Sequence, residues 1–206
     1  MQLPEDKIIL FDLGGVILSI DYLATVEAFK NLLPADSTIE YNQLSQNELF
    51  DRYETGNVST MHFLNLLKVN FPEDVSVYAL VKAWNAMLGQ FNPENLTFLH
   101  ELRKTRKIAL LSNTNDLHAE WFNRVLKEKF GTTISDYFDY TFLSHEIKKR
   151  KPHSSTFEWV ANEIGTSPEN IFFMDDSIQH IEGANKAGLT TFHYPQNEPL
   201  NTVFTF

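Results

Sequence analysis

The sequence contains no cysteine. This absence excludes disulfide bonds, thiolate catalysis and cysteine-ligated zinc, and it suits a reducing compartment such as the cytoplasm. The sequence also lacks any apolar run near the length of about 20 residues that a membrane-spanning helix needs. Its first residues, MQLPEDK, do not form the basic start and apolar stretch of a signal peptide. We therefore predict a cytoplasmic protein that does not bind membranes.

Positive charge is scarce as well. The 206 residues include 17 Lys and Arg against 27 Asp and Glu, so the formal net charge is -10. This balance argues against general binding of nucleic acid, because the phosphate backbone attracts basic surfaces. It does not exclude a small anionic substrate, because one lysine and a bound cation can reverse the field locally. The chain length suits one domain, or a core domain with a small insert.

Four short apolar runs predict buried parallel strands. They span residues 8–11, 108–111, 140–143 and 171–174, and the segment LTTFHY at residues 189–194 predicts a fifth strand. Helical patterns lie between them, at residues 93–104, 118–130, 154–164 and 178–187. The alternation indicates an α/β fold with a doubly wound, mostly parallel sheet, in which ligands bind outside the carboxyl ends of the strands.

One segment interrupts this alternation. Between residues 19 and 90 we find no strand pattern, and apolar residues recur at helical spacing instead. A structureless loop of that length is implausible in a compact domain. We therefore predict a core domain at residues 1–17 and 93–206, and a small all-helical cap at residues 18–92 that lies over the strand ends.

The predicted strand ends lead to residues that suit chemistry on a phosphate group. In a doubly wound sheet, a carboxylate nucleophile, a hydroxyl, an ammonium and two further acids would meet in one crevice. Three carboxylates in one pocket repel one another unless a cation joins them, and hard oxygen ligands suit Mg²⁺. The neighbouring basic residues Lys148, Lys149 and Arg150 are expected to be solvated. The candidate site residues are Asp12, Ser112, Asn113, Lys151, Asp175 and Asp176.

Four ordered segments resemble the motifs of the haloacid dehalogenase-like (HAD) hydrolases. They are FDLGGV, LLSNTN, the Lys-Pro pair of KKRKPHSSTFEWV, and FFMDDSIQHIEGANKAG. The resemblance covers nearly the whole chain, and the cap segment DRYETGNVST resembles the branch whose first motif reads DLG-Asn/Gly-Val. That branch includes bacterial glucose-1-phosphate phosphatases. The resemblance implies a Rossmann-like core, an inserted helical cap and a small phosphorylated metabolite as substrate.

The resemblance also assigns roles by position. Asp12 becomes the nucleophile that forms an aspartyl-phosphate, with Lys151 as its catalytic partner. Phosphate binding falls to Ser112, Asn113 and Lys151. The implied Mg²⁺ ligands are Asp12, the main-chain carbonyl of Gly14, Asp175 and Asp176.

Two positions depart from the family pattern. Gly14 stands where most HAD phosphatases have an aspartate that acts as general acid and base, and His180 stands where Asp or Asn is usual. Without an acid at position 14, we expect substrates whose leaving groups depart easily, such as sugar 1-phosphates and aryl or acyl phosphates. His118 and His180 stay outside the predicted site, because a lone histidine is usually structural.

Three functions are compatible with these residues. We favour a Mg²⁺-dependent phosphatase of a small metabolite, such as a sugar phosphate, because the adjacent acids Asp175 and Asp176 suit a metal. A 2-haloacid dehalogenase also uses an aspartate at a strand end, but its reaction needs no metal. A catalytically silent regulatory protein would keep the fold alone. The sequence does not determine the oligomeric state.

Overall fold

The computed structural model describes residues 1–35 and 48–205. Within these ranges the strands are β1 (Ile8–Phe11), β2 (Leu18–Ile20), β3 (Leu88–Phe91), β4 (Ile108–Ser112), β5 (Tyr140–Leu143), β6 (Ile171–Asp175) and β7 (Thr190–His193). The helices are α1 (Tyr22–Lys30), α2 (Glu48–Glu54), α3 (Thr60–Lys68), α4 (Val77–Trp84), α5 (Pro93–Arg103), α6 (Asp116–Phe130), α7 (Ser144–Ile147), α8 (Ser154–Ile164), α9 (Ile178–Lys186) and α10 (Leu200–Val203).

The main sheet has the strand order β5-β4-β1-β6-β7, and its paired strands are parallel. Each of the five predicted strands is present within one residue of its predicted ends. Along β1, Ile9 and Phe11 pack on one face of the sheet with residues of α5 and α6. Leu10 packs on the other face with residues of α8 and α9. Helices on both faces confirm the predicted doubly wound α/β fold.

Side-chain caps determine where two of the core helices begin. Asn92 accepts a hydrogen bond from the backbone N–H of Glu94 at 2.9 Å, and Pro93 occupies the first turn of α5. Helix α6 begins two residues before the predicted start, because Asn115 caps it by accepting from the backbone N–H of His118 at 3.2 Å. None of the helices in the described ranges is both long and apolar enough to cross a bilayer.

The insert between β1 and α5 has its own apolar cluster. Helices α1 to α4 contribute Phe29, Tyr53, Phe63 and Trp84 to this cluster. It is separate from the two apolar clusters on the faces of the sheet. Residues 41–47 of one predicted cap helix lie outside the described residues. The domain boundaries at residues 17/18 and 92/93 stay a prediction.

The prediction of an all-helical segment without strands is wrong at its two ends. Strand β2 pairs antiparallel with β3, so that Leu18 lies opposite Phe91 and Ile20 lies opposite Leu88. These strands have three and four residues, and most of the insert's sequence separates one strand from the other. Leu-Ser-Ile is too short for its alternation to identify a strand, and Leu-Gly-Gln-Phe does not alternate.

Candidate active site

The carboxyl ends of three neighbouring strands carry predicted site residues. Asp12 directly follows β1, Ser112 ends β4 and Asp175 ends β6. Strand β1 lies between the other two, and the Asp12 N–H donates to the Met174 carbonyl at 3.0 Å. The exposed fractions are 7% for Asp12, 3% for Ser112 and 0% for Asp175. The parallel sheet therefore places these polar side chains together, away from bulk water.

Lys151 provides the positive charge in this cluster. Its Nζ lies 2.8 Å from Asp12 Oδ1 and 2.6 Å from Asp175 Oδ2, and the side chain has no exposed surface. Burial by itself lowers the pKa of Lys151, but the charges of Asp12 and Asp175 outweigh burial, so the pKa is raised. A buried lysine that stays protonated can neutralise these acids or an incoming phosphate.

Asn113 holds the backbone of Lys151. The Asn113 Nδ2 donates to the Lys151 carbonyl at 3.0 Å, and the Lys151 N–H donates to Asn113 Oδ1 at 3.0 Å. These two bonds tie the loop after β4 to the loop after α7. Asn113 therefore positions the lysine, and its direct contact with phosphate stays a prediction.

The two carboxylates that share Lys151 differ in their pKa. Burial and the charge of Asp175 raise the pKa of Asp12 well above its usual value, although Lys151 lowers it. Burial also tends to raise the pKa of Asp175, but Lys151 and His180 depress it below the usual range. Asp175 is therefore the firmly ionised partner, while the charge on Asp12 is costly until another cation or a phosphate group changes its surroundings.

His180 belongs to this cluster, although it was not among the predicted site residues. Its Nδ1 lies 2.9 Å from both oxygens of Asp175, and the Ser177 N–H donates to Asp175 Oδ1 at 2.8 Å. Burial and the charge of Lys151 lower the pKa of His180, so a neutral ring donates through Nδ1–H. The available signal was position, because helix α9 begins at Ile178, three residues after Asp175, and its first turn brings His180 back to the Asp175 carboxylate.

Asp176 lies against Gly15, the second of the two glycines that follow Leu13. Burial and the charge of Asp175 raise the pKa of Asp176 to about 6. Gly15 has φ +74°, and a Cβ there would collide with the Asp176 carboxylate, so this close approach requires glycine. Gly14 has no positive φ, and a Cβ on it would meet the Ile20 side chain at 3.0 Å.

The charges of the cluster act on two cap residues outside the predicted site. Tyr22 begins α1, and burial together with the charges of Asp12 and Asp176 raises its pKa, although 44% of the residue is exposed. Glu54 ends α2, and burial raises its pKa although the charge of Arg150 and, to a smaller extent, that of Lys151 lower it. Both residues therefore lie close enough to the cluster for its charges to shift their pKa values.

The expectation that Arg150 is solvated is wrong. Its side chain is 14% exposed, it pairs with Asp51, and its Nη2 lies 3.0 Å from Glu54 Oε2. The basic run gave no indication of this, because the acidic partners lie on α2, far away in the sequence.

His118 packs at the junction of α4 and α6 instead of in the cluster. Its ring stacks on Trp84 with centroids 5.2 Å apart, and its Nδ1 lies 3.2 Å from Asn115 Nδ2. Burial lowers the pKa of His118 to about 4, so the ring is neutral near pH 7. A cavity of about 510 Å³ nearby is lined by residues such as Tyr78, Leu117 and Arg124. The cavity lining includes none of the predicted site residues.

The acidic residues fit a divalent cation. Donor atoms of Asp12, Asp175 and His180 all lie within 4.8 Å of one another. Lys151 supplies one positive charge to Asp12, Asp175 and Asp176, so negative charge remains in excess. Asp175 already accepts bonds from Lys151 and His180, and its direct ligation of a metal stays a prediction. Oxygen donors with excess negative charge suit Mg²⁺.

Comparisons with known proteins agree with this geometry. The model of the haloacid dehalogenase-like hydrolase family matches residues 7–188. A D-ribitol-5-phosphate phosphatase from Bacteroides thetaiotaomicron is 29% identical over 191 residues, which cover 93% of this chain and 92% of that protein. A HAD family enzyme from the same species, crystallised with magnesium and inorganic phosphate, is 30% identical with a TM-score of 0.86. That match covers 97% of this chain and 99% of the other.

A 2-haloacid dehalogenase from Pseudomonas syringae pv. Tomato has a lower TM-score of 0.58 at 16% identity, covering 91% of this chain and 86% of that one. At that identity the likeness extends to the fold alone. The family match spans most of the chain, and the nearly full-length relative described above is a phosphatase. The protein therefore belongs to the haloacid dehalogenase-like hydrolases and is an enzyme of their phosphatase type.

Proposed function

We propose that the enzyme hydrolyses a small phosphorylated metabolite through an aspartyl-phosphate at Asp12, with Mg²⁺ as cofactor. The observation that carries this proposal is the buried contact of Lys151 with both Asp12 and Asp175. It presents a carboxylate beside an ammonium at the carboxyl ends of parallel strands. A carboxylate placed in this way can attack phosphorus, because the cation offsets the repulsion between the two anions.

The chain's own residues supply the covalent step. Asp12 Oδ2 attacks phosphorus, since Oδ1 accepts from Lys151 at 2.8 Å and from the Leu13 N–H at 2.6 Å. The bond between phosphorus and the leaving oxygen breaks, and that oxygen takes up a proton to become an alcohol. Water then cleaves the acyl phosphate, which releases inorganic phosphate and restores the carboxylate. Ser112, Asn113 and Lys151 hold the phosphate oxygens.

The metal site is formed by Asp12, the Gly14 carbonyl, Asp175 and Asp176. A bound Mg²⁺ offsets negative charge on the acids and on the phosphate oxygens. The pKa of Asp176, raised to about 6 mainly by burial and by Asp175, supports this assignment. The magnesium complex of the HAD family enzyme described above also supports it.

We infer that the substrate is the phosphate monoester of a polyol or sugar that carries no other charged group. The support is the relative that is named a D-ribitol-5-phosphate phosphatase. Ribitol 5-phosphate is an ester of a primary alcohol, which is a poor leaving group. This inference therefore differs from the sequence-based preference for groups that depart easily, and it requires some residue other than Gly14 to assist the leaving oxygen. The cytoplasmic location stays a prediction.

Phosphate release tests the proposal. The purified protein should release phosphate from ribitol 5-phosphate and from p-nitrophenyl phosphate with Mg²⁺, and should lose this activity in excess EDTA. Acid quenching followed by mass spectrometry should find one phosphoryl group on Asp12. Full activity in EDTA, or turnover without any phosphorylated Asp12, would contradict the mechanism. Metal-independent release of halide from a 2-haloacid would favour the dehalogenase alternative.

A further inference from the structure

An arginine of the core is largely buried against two acids of the insert. The Arg150 guanidinium pairs with Asp51, and its Nη2 lies 3.0 Å from Glu54 Oε2. Asp51 and Glu54 lie three residues apart, on one face of α2. The side chains of Arg150 and Glu54 are 14% and 18% exposed. The insert therefore compensates the charge of Arg150, while two acids of the core compensate the charge of the next residue, Lys151.

The loop that carries Lys151 has a backbone conformation that its own residues do not favour. This loop connects α7 to α8, and at its start Lys148 has φ +55°. A residue with a Cβ adopts this left-handed region at an energetic cost, and it stays there when surrounding contacts outweigh that cost. The conformation of the loop therefore depends on the contacts that hold it from outside.

Several of these contacts come from the core and involve the backbone of the loop. The Arg150 carbonyl accepts from Thr156 Oγ1 at 2.8 Å, and Asn113 bonds to both the N–H and the carbonyl of the residue that follows Arg150. A Cβ on Gly183 of α9 would collide with the Pro152 carbonyl, so the loop also packs closely on α9. The ion pairs of the Arg150 side chain add a contact from the opposite partner, the insert.

Helix α2 is itself fixed relative to the core. Just after α2, Gly56 has φ +64°, and a Cβ there would collide with the His145 carbonyl of α7. The Tyr53 hydroxyl of α2 accepts from the Leu117 N–H of α6 at 3.3 Å. Because α6 and α7 lie outside the insert, α2 is a firm support against which Arg150 can hold the loop.

We propose that Arg150 is a positioning residue for the phosphatase reaction: its ion pairs with α2 hold the loop so that Lys151 Nζ stays between its two acids. In this role Arg150 acts through Lys151 and contacts no reacting atom. The inference rests on the proposed function and extends it, because the insert then supports the catalytic step itself. A misplacement of about 1 Å can slow a reaction about 100-fold, so loss of one contact should matter even if the fold persists.

Replacing Arg150 by methionine removes the charge and keeps a long side chain. Arg150→Met should lower kcat for p-nitrophenyl phosphate about 10–100-fold, measured where thermal unfolding shows the variant to be folded. Arg150→Lys keeps a charge that can pair with one of the two acids, so it should regain part of the rate. The control Lys149→Met changes a neighbouring cation that lies over the Trp159 ring and should leave kcat unchanged.

Binding of inorganic phosphate in the presence of Mg²⁺, measured by calorimetry, separates positioning from a merely structural role. Arg150→Met should raise the phosphate Kd about 10-fold, as expected when one hydrogen bond to a charged group is weakened. In a Lys151→Met background the same change should leave Kd nearly unaltered, because the group through which Arg150 acts is gone. An equal factor in both backgrounds, or a lower Tm without any change in phosphate binding, would overturn the inference.

A second variant keeps the test decisive if Arg150→Met does not fold. Glu54→Gln replaces one charged partner of Arg150 by a neutral group of the same shape, and in the same cycle it should give a smaller effect with the same dependence on Lys151. If Lys151→Met alone leaves phosphate binding unchanged, the proposed role of Lys151 fails and this inference fails with it. If Lys151→Met weakens binding but Arg150→Met and Glu54→Gln do not, the proposed function survives and this inference is overturned.

Discussion

Replacing Lys151 by methionine tests the electrostatic core of the site. Methionine is apolar and similar in length, so the change removes the charge and leaves little cavity. Asp12 and Asp175 would then lie buried without the ammonium that is 2.8 Å and 2.6 Å from them. Removing one partner of a buried ion pair costs about 3–5 kcal/mol. For a chain of this size that loss lowers Tm by roughly 6–20 °C.

The assay is urea or thermal unfolding in EDTA, so that no divalent cation offsets the acids. The control Lys149→Met removes a nearby lysine whose Nζ lies 5.9 Å from the Trp159 ring centroid. The control should cost at most about 1 kcal/mol, the range of an exposed cation–π contact. Lys151→Met should also lose phosphatase activity. Addition of Mg²⁺ should recover part of its stability, because a second cation then offsets the acids.

The stability lost in Lys151→Met should be smaller at low pH than at high pH. The pKa of Asp12 is raised on folding, and that of Asp176 is raised to about 6. The folded state therefore binds more protons, and these groups make the protein more stable as the pH falls through that range. Lys151 lowers both pKa values, so its removal strengthens this dependence, and the variant should lose less stability at pH 5 than at pH 8. The stabilisation from the depressed pKa of Asp175 is lost only below about pH 4. A loss under about 1 kcal/mol in EDTA at pH 8, or one independent of pH, would refute this reasoning.

Further predictions concern single residues of the site. Asp12→Asn should abolish phosphoryl transfer but not lower stability, because it removes a costly buried charge; single-turnover quenching that still finds a phosphoenzyme would contradict this. Asp176→Ala should raise the Mg²⁺ concentration needed for half-maximal activity, and an unchanged titration would remove Asp176 from the metal site. Gly15→Ala should cost about 1–3 kcal/mol, because alanine is strained at φ +74°; an unchanged urea midpoint would be the contrary result. Gly14→Asp should be tolerated after a small shift of Ile20, and by adding an acid it should speed alkyl phosphate hydrolysis relative to aryl phosphate, which a series of leaving groups measures.

The sequence by itself determined the sheet and the ends of its strands. Runs of four apolar residues that are buried on both faces differ from amphipathic helices, and each is bounded by polar residues. Because the carboxyl ends of parallel strands meet at one edge, placing Asp12, Ser112 and Asp175 together required no knowledge of side-chain contacts. The short strands β2 and β3 escaped prediction, because their pairing partner lies about seventy residues away.

Only the tertiary structure decided which hydrogen bonds and ion pairs connect the residues of the site. The bonds from Asn113 to the Lys151 backbone, and the bridge from Lys151 to two carboxylates, join segments that are far apart in the chain. The pair of Arg150 and Glu54 likewise joins the core to the insert. A basic run and a helical acid have many solvated arrangements of similar energy, so local pattern cannot choose among them. Packing of α2 on the core removes water from both groups, and desolvated charges must find partners.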